Sequence, residues 1–216
     1  MTHAVRRAGS ARRAARDSDA PRAWQRMLSG RRLDLLDPSP LDIELSDIAH
    51  GLARVARWNG QTRGAHAFSV AQHSLLVETI FGEITGSQDP VACQLALLHD
   101  APEYVIGDMI SPFKAVVGGD YKAVEARLAA AIRLRFSLPG TVSRSVQAAI
   151  KSADQIAAFF EATELAGFDL AEAERYFGKP EAFHAADLPI EPMSTTGAET
   201  AFLSRFNALD AQRGAG

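Results

Sequence analysis

The sequence predicts an all-α, single-domain helical bundle of six to eight helices. Three observations carry that expectation. Apolar residues recur at three- and four-residue spacing from Leu41 onward, runs alternating with period two are nearly absent, and 216 residues amount to little more than one domain. Composition agrees: 47% hydrophobic and 23% charged residues lie far from the profile of a disordered chain. No apolar run approaches the roughly 18–20 residues needed to cross a bilayer, so no membrane partner is expected. The single cysteine, Cys93, sits among apolar neighbours and reads as core packing. With no internal disulfide and no three-part secretory signal at the start, a reducing cytoplasm is the expected compartment.

The helices follow from their end signals. Ser46 is expected to cap a helix reaching about Trp58 through Ile48, Leu52 and Val55, with Asn59-Gly60 closing it. Ser69 followed three residues later by Gln72 is a capping box, so a helix through Val70, Val77, Ile80 and Phe81 starts there. Asp89-Pro90 starts a third helix that runs to about Asp100. Gly107 and Pro112 break the chain; helices are then expected over about Tyr121–Phe136 and Val142–Ala166, closed by Pro139-Gly140 and Gly167. Asp187–Ser194 reads as extended, and a last helix over about Ala198–Leu209 packs back on the body.

Charge divides the chain unevenly. Residues 1–32 hold nine arginines against Asp17 and Asp19, a local charge of +7, whereas the rest carries −10. Residues 1–32 therefore read as a basic, solvated arm, 33–178 as the folded domain and 179–216 as a C-terminal extension. Trp24 is the only aromatic residue in the arm, too few for a base-stacking platform, so nucleic acid is not an expected partner. The apolar faces of the late helices permit a homo-oligomer.

Two polar residues stand on apolar stripes. His73 lies three residues after Val70 and four before Val77, and Asp154 four after Ile150 and three before Ala157. A carboxylate in such a place needs a partner, because burying an isolated one costs several kcal/mol. His99-Asp100 ends an apolar helix, with Glu103 and Asp108 following. Two imidazoles and two carboxylates from three helices make a mixed nitrogen and oxygen set suited to Mn, Co, Fe, Zn or Mg, and the lack of a thiolate disfavours structural zinc. A lone core histidine is more often a hydrogen-bonded structural residue, and Asp154 alone could pair with a buried arginine.

The order of these residues resembles the HD superfamily of metal-dependent phosphohydrolases. The segments Ser69-Val70-Ala71-Gln72-His73-Ser74-Leu75, Leu98-His99-Asp100-Ala101-Pro102-Glu103, Gly107-Asp108 with Ser111-Pro112-Phe113-Lys114, and Lys151-Ser152-Ala153-Asp154 are similar to its bacterial 5′-deoxynucleotidase branch, from about Leu45 to Gly167. The resemblance implies an HD-type domain in which His73, His99, Asp100 and Asp154 hold one divalent metal ion. It further implies Glu103 as the catalytic carboxylate, Asp108 as a second functional acid, and Arg57-Trp58 as contacts to nucleotide phosphate and sugar. Relatives with two-metal sites add histidines between the positions of His99 and Asp154, and this chain has none.

The expected activity is hydrolysis of a small-molecule nucleotide, releasing phosphate from a deoxynucleoside 5′-monophosphate. The runner-up is a deoxynucleoside triphosphate triphosphohydrolase on the same metal site, since Gly30–Gly64 also resembles deoxyadenosine triphosphohydrolases. A non-catalytic nucleotide-binding module is the alternative from another class. Lys114, Arg54 and Arg63 are further phosphate candidates; His66 reads as an exposed bystander and His50 as structural.

Overall fold

Eight α-helices and one short hairpin make up the regular structure of residues 22–109 and 119–214, the part of the chain described by the computed structural model. The helices are α1 (Leu45–Leu52), α2 (Val70–Thr85), α3 (Pro90–Leu97), α4 (Glu103–Ile106), α5 (Gly119–Arg135), α6 (Arg144–Phe160), α7 (Leu170–Phe177) and α8 (Thr195–Gly214). The all-α expectation holds. Among the described residues, no helix is long and apolar enough to cross a membrane.

The caps explain most boundaries. Ser69 accepts from the Gln72 N–H at 3.3 Å, Asp89 from Val91 at 3.0 Å, Ser143 from Val146 at 3.3 Å and Asp169 from Glu172 at 2.8 Å. The capping box is only half formed, because the Gln72 side chain binds elsewhere. It donates to Glu191 O at 3.0 Å and accepts from Met193 N at 2.9 Å, pinning the extended C-terminal segment beside α2. Arg205 on α8 clasps Glu78 on α2 through two bonds of 2.8 and 2.6 Å. α2 is the central helix, packed against α6, α3 and α8. Its Leu76, Val77 and Ile80 are fully buried with Ile48, Leu52, Phe68, Leu97 and Phe202.

Three expectations need correction. Ser46 is not the cap of α1: Glu44 occupies the N-cap, without a side-chain bond, and Leu45 is already helical. That helix ends at Leu52 rather than continuing to Trp58. Beyond it, Arg57 N bonds Phe68 O at 2.8 Å and Val70 N bonds Val55 O at 2.9 Å, so the backbone pairs across the chain instead of along a helix. Arg57–Gly60 then form a 3-10 turn in which Trp58 and Asn59 take φ of 57° and 52°.

The second concerns the basic arm. Within residues 22–32, β1 (Trp24–Arg26) pairs antiparallel with β2 (Arg32–Asp34) in a hairpin docked on the body. Leu33 is buried, and Asp47 of α1 accepts from Ser29 N at 2.9 Å and from its hydroxyl at 2.5 Å. The folded body therefore starts before residue 33. Between Gly167 and Asp187, where no element was expected, α7 follows the Asp169 cap with Leu170, Ala173 and Phe177 at helical spacing. The third concerns α6, which stops at Phe160 and passes into a π-helical turn, Glu161–Leu165, closed by Ala166 N on Glu161 O at 2.9 Å.

Candidate metal centre

Because Ser69 fixes where α2 begins, His73 lies one turn into the helix, facing inward and fully buried. α3 ends at Leu97, and the turn after it carries His99 and Asp100 toward His73. Asp154 reaches the same point from α6, whose Ala153 and Ala157 are buried. The spacing of these three elements in the sequence thus becomes convergence in space.

The two imidazoles are oriented by their outer nitrogens. His73 Nδ1 meets the Glu161 carboxylate at 2.5 Å, and His99 Nδ1 meets Ala96 O at 2.9 Å. Both partners are acceptors, so each Nδ1 carries the hydrogen and a neutral ring keeps its Nε2 lone pair free. Both Nε2 atoms are buried and, among the described residues, make no hydrogen bond. Asp100 Oδ2 nevertheless lies 3.5 Å from His73 Nε2 and 3.1 Å from His99 Nε2, while Asp154 Oδ1 is 3.4 Å from His73 Nε2. One ligand atom each from His73, His99 and Asp154 falls within 4.8 Å of the others. Two atoms each about 2.1 Å from one ion, at roughly 90–109° apart, are separated by about 3.0–3.4 Å. Buried nitrogens lacking bonds, with carboxylate oxygens at ligand-to-ligand spacing, fit a divalent cation, and the N/O donor set fits the hard to borderline metals.

Electrostatics point the same way. Burial and the Arg57 charge lower the His73 pKa, but Glu161, Asp100 and Asp154 outweigh them and hold it well above its ordinary value. Burial raises Asp100, yet His99 and His73 hold it well below the usual carboxylate range. For Asp154, too, burial works upward while His73 Nε2, 3.4 Å away, and the histidine charges win, so it lies far below normal. Lys151, on the surface, takes the other Asp154 oxygen at 2.8 Å. Ionised carboxylates gather at this point, which favours a cation there.

Glu161 is the functional residue that sequence reasoning missed. Fully buried on the π turn, it accepts from His73, from Arg57 Nε at 3.1 Å and from Trp58 Nε1 at 2.8 Å. Burial raises its pKa, but Arg57 and His73 lower it more. One signal was available: Glu161 stands seven residues beyond Asp154, two turns along the same helical face. π turns recur at functional sites because they re-aim a side chain.

Arg57 bridges Glu161 to Asp108, whose Oδ2 is 3.3 Å from its terminal nitrogen, and both acids raise its pKa against burial. Trp58 sets its ring edge-on to Phe168 and Phe177 at 5.4 and 6.0 Å. Arg57, Trp58 and Asp108 thus join the cluster through Glu161. Glu103 is buried in the first turn of α4, its N–H bonded to Asp100 O at 3.0 Å. Arg54 pairs with Glu199 at 2.8 Å, His50 lies 3.5 Å from the same carboxylate, and His66 is exposed. Lys114 lies outside the described residues.

The chain matches the family described as 5′-deoxynucleotidase YfbR-like over residues 47–177. It is 54% identical over 188 residues to an uncharacterized protein of Rhodobacter capsulatus, covering 87% of this chain and 96% of that one. It is 31% identical over 172 residues to the uncharacterized protein YfdR of Escherichia coli, covering 80% of this chain and 87% of YfdR.

Proposed function

This chain belongs to the YfbR-like 5′-deoxynucleotidase family, HD-type metal-dependent nucleotide phosphohydrolases, and from that premise we propose that it hydrolyses deoxynucleoside 5′-monophosphates. Water and the phosphoester give a deoxynucleoside and inorganic phosphate. The observation that carries this reading is the pair of buried, unbonded His73 and His99 Nε2 atoms facing the Asp100 and Asp154 oxygens. These four residues would hold the ion. A divalent cation bound there supplies Lewis acidity that acidifies water and draws charge from a phosphoryl group.

The remaining residues do the rest. Glu103 follows Asp100 by three residues and donates its backbone N–H to the Asp100 carbonyl; in this reading its carboxylate would orient the attacking water and take its proton. Arg57 supplies a planar donor for phosphate oxygens, and Asp108 and Glu161 restrain it from either side. Trp58 offers an indole for the sugar, anchored through its N–H to Glu161. Glu161 keeps His73 in the tautomer that binds metal. Asp108 fixes Arg57 and serves as the second acid of the site. Lys114 is a further phosphate contact in this reading.

The test is product analysis after chelation and re-addition of Mn²⁺, Co²⁺ or Mg²⁺ with a panel of deoxynucleotides. Inorganic phosphate from monophosphates, dependent on added metal, is the expected result. Release of inorganic triphosphate from deoxynucleoside triphosphates instead would replace this reading with a triphosphohydrolase. No product from any member of the panel would make the chain a nucleotide-binding module.

A further inference from the structure

The register of the hairpin sorts its side chains onto two faces. Leu33, paired with Gln25, is fully buried, so its face turns to the body. Trp24, Arg26, Arg32 and Asp34 belong to the pairs on either side and therefore to the outward face. There the guanidinium carbons of Arg32, Arg22 and Arg26 stand 4.5, 4.7 and 5.6 Å from the centre of the Trp24 ring.

All three arginines are exposed, and among the described residues none of them forms an ion pair. Arg31, in the turn of the same hairpin, differs: it pairs with Glu44 at 2.8 Å. Arg26 donates to Gly30 O at 2.8 Å, while the side chains of Arg22 and Arg32 make no hydrogen bond among the described residues. Asp34, on the same face, accepts from Leu36 N and Asp37 N at 2.8 and 3.0 Å, so its carboxylate is engaged by the backbone rather than by the arginines.

A guanidinium stacked on an indole uses its face there and keeps the N–H donors of its edge for an anion. Like charges gathered around one ring repel each other, and a ligand with several negative groups relieves them. Phosphate fits the guanidinium fork best. The sequence extends the pattern, since Arg6, Arg7, Arg12, Arg13 and Arg16 precede the hairpin and residues 1–32 contain no lysine. A linear run of arginines leading into a fixed cluster is complementary to a linear polyanion. A broad anionic surface such as a bilayer suits it less, because exposed Asp37 and half-buried Asp42 follow β2 closely in the chain.

We propose that the outward face of this hairpin binds nucleic acid through its phosphodiester backbone, with Arg22, Arg26 and Arg32 donating to phosphate oxygens while Trp24 holds their planes. One tryptophan flanked by guanidiniums is no platform for bases, so the contact does not select sequence. The face shares no residue with the candidate metal centre, and the inference stands independently of the proposed hydrolysis.

The probe is a thymidine oligonucleotide of about twenty residues, labelled with fluorescein at its 3′ end and carrying a free 5′-hydroxyl, whose anisotropy is followed at several salt concentrations. Full-length wild type is compared with Arg22→Gln/Arg32→Gln and with a chain in which Arg6, Arg7, Arg12, Arg13 and Arg16 are replaced by glutamine. Wild type is expected to bind at about 50 mM salt, and the double variant to lose at least tenfold in affinity. Its plot of log K against log salt becomes shallower by about 1.4, because each phosphate contact on a single strand contributes about 0.7. A mixed-sequence strand of the same length is bound within twofold of the thymidine one. Should the double variant melt early, Arg22→Gln alone, which lies before β1, is expected to make the slope shallower by about 0.7.

No binding by wild type overturns the proposal. So does full affinity in a folded double variant, which together with loss in the upstream variant moves the contact out of the hairpin. Capture by phosphatidylserine vesicles that the double variant loses, with no oligonucleotide bound, gives the face to a membrane and overturns it as well.

Discussion

Replacing Glu161 by glutamine removes one charge from the interior at nearly constant volume, and its consequence can be followed atom by atom. One carboxylate oxygen accepts from His73 Nδ1, and the other accepts from Arg57 Nε and Trp58 Nε1. An amide has only one acceptor oxygen. If that oxygen faces Arg57 and Trp58, the NH2 group confronts the His73 N–H and drives the ring toward the tautomer with hydrogen on Nε2, where the lone pair for the metal should be. If it faces His73, two donors are left opposed by the NH2 group. Loss of an outer partner of a metal-binding histidine typically weakens binding about 10–100-fold, or about 1.4–2.7 kcal/mol. Two charge-assisted bonds weakened together remove a further ~3 kcal/mol from folding, which lowers Tm by about 6–12 °C in a chain of this size. The assay is titration of chelator-treated protein with Mn²⁺, following free ion by its paramagnetic resonance, beside thermal melts. Glu164→Gln, in the same turn but exposed, is the control. If Glu161→Gln binds Mn²⁺ within twofold of wild type, Glu161 does not orient His73 and the reasoning fails.

Further outcomes follow from the same geometry. Glu103→Ala keeps its metal and loses at least 100-fold in kcat, consistent with removal of a general base; an active variant would take Glu103 out of the mechanism. The His73 pKa is raised in the metal-free protein, so its protonated form adds stability below pH 6.5 that is lost as pH climbs through the raised value. Metal must displace that proton; affinity therefore rises with pH through neutrality, and calorimetry in buffers of different ionisation enthalpy should register about one proton released per ion. Burial first, and Glu78 second, push the Cys93 thiol up to about 11. Native protein should then resist iodoacetamide at pH 8 and react fully once unfolded; rapid native labelling would contradict that burial.

The parts legible in the sequence were those where a local signal and the tertiary outcome coincide. His73 and Asp154 could be read because each interrupts an apolar stripe, and a polar group on a core face demands a partner wherever the helix ends up. The starts of α2 and α3 followed from side chains that bond the backbone two or three residues away. What escaped depends on contacts between distant segments. Glu161 resembles an ordinary acid near a helix end until Arg57 and Trp58, more than a hundred positions earlier, fold against it. Arg57 and Trp58 looked helical because nothing nearby announces that Phe68 and Val70 will capture the backbone around them. The strands of the hairpin are three residues each, too short for a period to register.

The most direct test of the account is anomalous diffraction from crystals of the Mn²⁺-loaded protein, collected on both sides of the manganese edge. One peak per chain, at bonding distance from the Nε2 atoms of His73 and His99 and from carboxylate oxygens of Asp100 and Asp154, is the predicted result. A manganese ion bound by other residues, or none bound while those four side chains retain their places, would contradict it.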